Sequence, residues 1–330
     1  MKQIIYIAVF CLLFMSCRQK YQAERGKVFN TVYQIKYRSN TPLTDKINAE
    51  FEAFNLSLNP FNPNSILAKI NRNEEVEVDQ WFTDVFNKAM EVSAHSNGMF
   101  DVTAAPLINL WGFGFEQWDS ISPQIIDSLR SFVGYRKVRL EGKRVIKDDP
   151  RILLNFSAIA KGYACDVISE LLEREGVKYY LVDIGGEIKA KGKNARGICW
   201  QVGINEPEDE ESYGQNSIIA TLQLCGKHGM ATSGNYRNFY IKDGKKYGHS
   251  INPLTGYPAE QNILSATIIA PDCMTADAYA TAFMVMGIED ACRMAEHIPA
   301  IDYYIIYTGD DDLTRIKYSK GLPSLLVDRK

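Results

Sequence analysis

Residues 271–283 read PDCMTADAYATAF, a run of Ala, Met, Tyr and Phe that is apolar on nearly every side when wound as a helix. A helix without a polar face has to be buried, so the rest of the chain must be able to cover it. Asp277 stands inside that run. A carboxylate removed from water without a partner is costly enough to shift its pKa and neutralise, so something in the fold has to compensate it. Thr281 follows four residues later, on the same helical face. A carboxylate and a hydroxyl stacked in this way are a fragment of a site for a hard cation such as Mg²⁺, which takes oxygen ligands and keeps waters and substrate phosphates in its shell. The plainer readings are an ion pair between Asp277 and an Arg or Lys elsewhere, or a cap at the helix start beside Thr275.

The surrounding pattern mixes strands and helices without steady alternation, which predicts an α+β fold rather than a doubly wound sheet. KVFNTVYQIKY (27–37) alternates like one strand. Helices are predicted from Thr44 to the stop at Asn59-Pro60, after Asp79 to Asn97-Gly98, from Pro123, and from about Ile159 to Arg174 with Ser157 as a cap. RILLNF (151–156) reads as a strand entering that last helix. Strand pairs are predicted around Glu141-Gly142-Lys143, around Gly185-Gly186 in YYLVDIGGEIKAKG, around Asp243-Gly244, and in the C-terminal DYYIIYTGDDDLTRIKYS.

The first residues do not belong to this pattern. The apolar run IIYIAVFCLLFM is too short to span a bilayer comfortably and matches an export signal. LFMSC resembles a bacterial lipobox, which implies cleavage after residue 16 and lipidation of Cys17. The expected organisation is a signal peptide (1–16), a short tether (17–25) and one domain (26–330), exported and lipid-anchored to a bacterial membrane, facing the periplasm. A net charge of −3 and the lack of a basic stripe argue against nucleic acid. The five remaining cysteines, Cys165, Cys199, Cys225, Cys273 and Cys292, are widely spaced with no CxxC pair. They predict small buried hydrophobes rather than a disulfide framework.

Three further stretches carry chemistry. LNFSAIAKGYACD (154–166) joins an extended segment to a helix N-terminus, where free N–H groups and Lys161 suit a phosphate, although the Walker spacing is absent and a solvated lysine is the plainer reading. GHSINPLTGYP (248–258) ends a hairpin with His249, either a general base or a structural histidine. NGMFDVTAAPLINLWGFG (97–114) is an aromatic, Gly-rich loop that either holds a planar ring or is a core hairpin or loop packing Trp111 and Phe113.

Taken in order, GKVFNTVYQIKY, GMFDVTAAPLINLWGFG, SAIAKGYACD with VDIGGEI, ATSGNYRNF followed by GHSINPLTGYP, and ADAYATAFMVMG resemble the FAD:protein FMN transferase (ApbE) family from about Gly26 to Gly321. The resemblance implies an ApbE-like, T-fold-related α+β architecture. It implies an enzyme that binds FAD with Mg²⁺ and moves FMN onto a Ser or Thr hydroxyl of an exported acceptor, such as a membrane redox-complex subunit, releasing AMP. Asp277 and Thr281 fall on the family's metal-binding acid and hydroxyl, with Ala158 completing the metal site. Phe29, Met99, Phe100, Asp101, Asn155, Lys161 and Ile251 fall on flavin-nucleotide contacts, and His249 opens the H-x-x-x-P-x-T-G stretch. Asp277, Lys161 and His249 are thereby the candidate catalytic groups. Asn155 stands where the family often has Asp, and Phe29-Asn30-Thr31 replaces its usual MGT. Hydrolysis of FAD to FMN and AMP, or passive flavin binding, are the alternative functions.

Overall fold

A computed structural model describes residues 20–113, 121–207, 217–234, 239–242, 245–248, 250–259 and 262–327. Its strands in chain order are β1 (Tyr21–Val28), β2 (Thr31–Arg38), β3 (Val138–Glu141), β4 (Arg144–Lys147), β5 (Tyr180–Ile184), β6 (Glu187–Lys191), β7 (Trp200–Asn205), β8 (Ile218–Leu224), β9 (Lys227–Gly234), β10 (Phe239–Lys242), β11 (Lys245–Gly248), β12 (Ile263–Ala270), β13 (Asp302–Thr308) and β14 (Thr314–Tyr318). The α-helices are α1 (Thr44–Leu58), α2 (Ile66–Asn71), α3 (Gln80–His95), α4 (Ala105–Leu110), α5 (Pro123–Arg130), α6 (Ala160–Arg174), α7 (Cys273–Met286) and α8 (Ile288–Glu296).

The main sheet has eight strands in the order β1-β2-β5-β6-β9-β12-β13-β14, and every neighbouring pair in it is antiparallel. Successive side chains of a strand point to opposite faces, so each central strand feeds two cores. Val182, Ala231, Ile268 and Ile305 join one cluster, together with the apolar faces of α1, α3, α6 and α7. Leu181, Met230, Ile269 and Ile306, each one residue away from those, join a second cluster with Trp200, Val202, Leu222 and Leu224. The result is three layers: helices, the long sheet, and the β7–β8 hairpin on the far face. Helix α7 lies against β9 and β12 and under α6, with almost every residue buried. Burial on all sides is what its composition demands.

Several sequence expectations change in three dimensions. Residues 27–37 are not one strand. Val28 pairs with Thr31 across a two-residue turn, and Phe29 and Asn30 both take positive φ, 50° and 59°, as a primed hairpin turn requires. Residues 21–25, expected as tether, are the first part of β1 and pair with β2. RILLNF makes only one bridge, Leu153 to Ala104. Its backbone is satisfied elsewhere, because the Asn71 side chain takes both the N–H and the C=O of Leu154, and the Asn155 N–H donates to the Val102 carbonyl. Ser157 does not cap α6. That helix starts after Ile159 without a side-chain cap, while the Ser157 N–H donates to Asn155 Oδ1 at 2.8 Å. The segment 97–113 contains a helical turn, α4. Finally, Cys199 and Cys225 are joined in a disulfide across the open end of the β7–β8 hairpin. No spacing rule exposes this pair, since the two stand 26 positions apart and only hairpin pairing aligns them. Cys165, Cys273 and Cys292 are free and buried, as expected.

Candidate active site

Helix α7 answers the question posed by its own acid. Asp277 is 3% exposed, and its Oδ2 accepts the backbone N–H of Gly162 at 2.9 Å. That contact needs glycine. A Cβ on residue 162 would lie 2.3 Å from the Cys273 carbonyl oxygen and 2.7 Å from the Asp277 Cβ, so the first turn of α6 touches α7 backbone to backbone. Part of the compensation comes from Lys161, just before Gly162 on α6, whose positive charge acts on the Asp277 carboxyl and favours its ionised form. Burial pushes the Asp277 carboxyl up, while Lys161 and the Gly162 N–H hold it down, and the net direction is upward. Capping of α7 falls instead to Asp272, whose Oδ1 takes the Thr275 N–H at 2.7 Å.

Lys161 is not a solvated lysine. Its ammonium donates to Glu187 Oε1, and its side chain is a third exposed. Burial works against its charge, but Asp277 and Glu187 outweigh burial and raise its pKa. Glu187 opens β6 directly after the turn Gly185-Gly186, whose φ values of 66° and 99° only glycine adopts freely. Two residues along the same face of β6, Lys189 is 2% exposed and pairs with Asp166 of α6 at 3.1 Å. Asp166 also accepts the N–H groups of Cys273 and Met274 at 3.0 and 2.8 Å. Two ion pairs of opposite sense thus tie α6 to β6, and the second fixes where α7 begins, one turn before Asp277.

Asp277, Lys161 and Glu187 line a cavity of about 940 Å³. Its wall includes Met99, Phe100, Asp101, Asn155, Ala158, Lys161, Ile251, Asp277 and Thr281 from the sequence expectations. Thr281 Oγ1 lies 3.4 Å from Ser233 Oγ of β9. Two expected residues behave differently. Phe29 is not part of the lining; it packs on Phe51 and Phe54 of α1, with ring centroids 5.9 and 5.1 Å away. Asp101 lines the cavity, but its carboxylate is spent on the loop, accepting from the Thr103 N–H and hydroxyl and from the Tyr135 N–H at 2.6–2.8 Å. Burial raises its pKa against those hydrogen bonds. Trp111 is buried and donates to the Gly256 carbonyl at 2.8 Å, tying segments 97–113 and 250–259 together, whereas Phe113 reaches the cavity wall. His249 and Cys17 lie outside the described residues.

Sequence reasoning missed Glu187, Asp183, Ser233 and the β7 residues Val202 and Gly203 on the same wall. Glu187 and Ser233 sit in the quoted stretches VDIGGEI and ATSGNYRNF, beside glycines that permit close approach, and that was the available signal. Nothing in the β7 sequence marks it.

The pattern of the ApbE family matches residues 29–305. The chain belongs to the ApbE family. It is 32% identical to the FAD:protein FMN transferase of Escherichia coli K12 over 97% of this chain and 96% of that one. With the FAD:protein FMN transferase of Haemophilus influenzae it shares 34% identity over 96% of each. The fold superposes on the flavin transferase ApbE from Vibrio cholerae with a TM-score of 0.83 at 31% identity, covering 93% of this chain and 100% of that one. The apo flavinyl transferase ApbE of Pseudomonas stutzeri gives 0.82 at 28% identity, over 93% and 97%. This member is therefore a flavin transferase, an α+β enzyme that moves FMN from FAD to a protein.

Proposed function

We propose that the protein carries out this transfer with Mg²⁺, onto a Ser or Thr hydroxyl of an exported acceptor such as a membrane redox-complex subunit, with AMP as the leaving group. We place the enzyme on the periplasmic side of a bacterial membrane, held there by lipidated Cys17. The observation that carries the reading is a buried carboxylate, Asp277, on one cavity wall with Thr281 and Lys161. The donor set fits a hard cation: one acid, Asp277, and the neighbouring hydroxyls of Thr281 and Ser233. Among the described residues no three His, Cys, Asp or Glu gather as a metal cage, which suits a cation completed by water and phosphate. When bound, held by Asp277 and Thr281 with Ala158, the ion would supply Lewis-acid and templating chemistry at the pyrophosphate.

The chain's own groups do the rest. The acceptor hydroxyl oxygen attacks the FMN phosphorus, the P–O bond to AMP breaks, and the hydroxyl proton passes to a base, for which His249 is our candidate. Lys161, kept charged by its two acids, neutralises phosphate oxygens. Apolar wall residues Met99, Phe100 and Ile251 suit a flavin ring. Transfer of this type depends on positioning and electrostatics more than on covalent chemistry. The export reading is supported by the Cys199–Cys225 bond, because structural disulfides persist in oxidising compartments.

The test is mass spectrometry of a purified acceptor incubated with FAD, Mg²⁺ and protein, with and without EDTA. An FMN adduct that appears with Mg²⁺ and vanishes with EDTA is the expected result. In Asp277→Ala, adduct formation should fall by about a hundredfold or more. AMP release without adduct would mean hydrolysis instead, and unaltered transfer in EDTA would remove the metal.

A further inference from the structure

Glu187 does more in the cavity wall than help keep Lys161 charged. It is 4% exposed and lines the cavity. One carboxylate oxygen receives the Lys161 ammonium. The other, Oε2, is buried and has no hydrogen-bond partner among the described residues. Buried polar atoms in native proteins are almost always paired, so an ion pair built only for stability would satisfy both oxygens. The pair at Lys189 and Asp166, two residues along β6, does: both Asp166 oxygens accept backbone N–H groups as well as facing the lysine. Glu187 is instead held in a costly state beside the reacting centre, which is where proteins retain such arrangements.

We propose that Glu187 is a positioning residue of the transfer reaction, anchoring the Lys161 ammonium beside Asp277 so that it meets the phosphate at a fixed place. A lysine is a point charge on a flexible stem and does not define its own position. Glu187 defines it, because the residue stands at the head of β6 directly after a two-residue turn pinned by Gly185-Gly186. The anchor has an electrostatic consequence. Its negative charge offsets part of the lysine's pull on an incoming pyrophosphate, so ground-state affinity is given up for geometry, and only interactions stronger in the transition state raise kcat.

Glu187→Gln keeps the shape and removes the charge. Three measurements read it: FAD affinity in EDTA, kcat for FMN transfer with Mg²⁺, and the melting temperature. The expected result is opposite movement, with metal-free FAD binding roughly three- to tenfold tighter and kcat at least about tenfold lower. Glu187→Asp, which retains the charge on a shorter stem, should bind FAD like the unmodified protein and recover part of the lost kcat. In a Lys161→Met chain, adding Glu187→Gln should cost no further kcat, since the acid acts through the lysine. Affinity and kcat falling together with the melting temperature would mark a structural role and overturn the proposal. So would unchanged kcat in Glu187→Gln, or a full additional loss in the Lys161→Met chain. The inference rests on transfer from FAD. An unmodified protein that forms no adduct rejects that activity, whereas the metal-free affinity arm reads Glu187 with any acceptor.

Discussion

Gly162 carries two duties that no other residue combines: its N–H is the hydrogen-bond donor to Asp277, and its missing side chain lets α6 meet α7. Gly162→Ala should destabilise the protein by about 2 kcal/mol or more through overpacking against backbone, and chemical denaturation will show it. The acids around it titrate unusually. Burial raises Glu187 from 4.5 to about 7, with Asp277 adding to the rise and Lys161 opposing it. Burial likewise raises Asp166 from 3.8 to about 6 against Lys189. The folded protein therefore holds protons there that the unfolded chain has released, and stability from these groups falls as pH rises through about 4 to 7. Glu173 has the opposite sign: burial is outweighed by hydrogen bonds from Tyr180, Lys227 and Lys191, which lower it from 4.5 to about 2. Its contribution is present above 4.5 and lost on acidification through that window. The raised acids should therefore make melting temperatures in EDTA fall from about pH 5 toward pH 7, with a shallower decline in Glu187→Gln. An unaltered slope in that variant would contradict the assignment.

Among the elements, the β7–β8 hairpin is the one whose stability depends on a crosslink. It covers the second core and lends Val202 and Gly203 to the cavity wall. The Cys199–Cys225 bond closes a loop with a sequence separation of 26, for which chain entropy gives about 3 kcal/mol of stabilisation. Replacing both cysteines with serine should lower stability by about that amount. The check is denaturant unfolding with and without reductant: the reductant effect should be present in the native chain and absent from the double variant. Helix α7 depends on the buried Asp166–Lys189 pair instead, because Asp166 receives the first N–H groups of that helix. Lys189→Met leaves that carboxylate uncompensated and should cost about 3–5 kcal/mol, read as a lower melting temperature. Elements of this kind were partly legible. The helices at Thr44, Asp79 and Pro123 and the glycine-marked hairpins follow from local spacing and turn chemistry. RILLNF was not legible as a loop, because the Asn71 side chain that takes its hydrogen bonds is 83 residues away in sequence.

For the whole molecule, the boundary of the folded unit is the testable quantity. β1 is an edge strand of the long sheet and pairs along its full length with β2. A chain starting at Lys20 should fold and transfer FMN in solution, whereas one starting at Phe29 exposes the β2 edge and should melt lower and aggregate. Size-exclusion chromatography and melting curves separate the two. Equal stability of both chains would show that β1 is dispensable and restore a tether reading for residues 21–25. The sequence alone determined the burial of the 273–286 helix, the need to compensate Asp277, and the family, since these rest on residue types at short spacing. Only the tertiary structure decided which cation acts on that acid, that Glu187 and Ser233 share its cavity, that Phe29 packs away from it, and that two cysteines join. Those facts depend on contacts between residues far apart in the chain, and strand register and helix crossing set them, which local pattern does not encode.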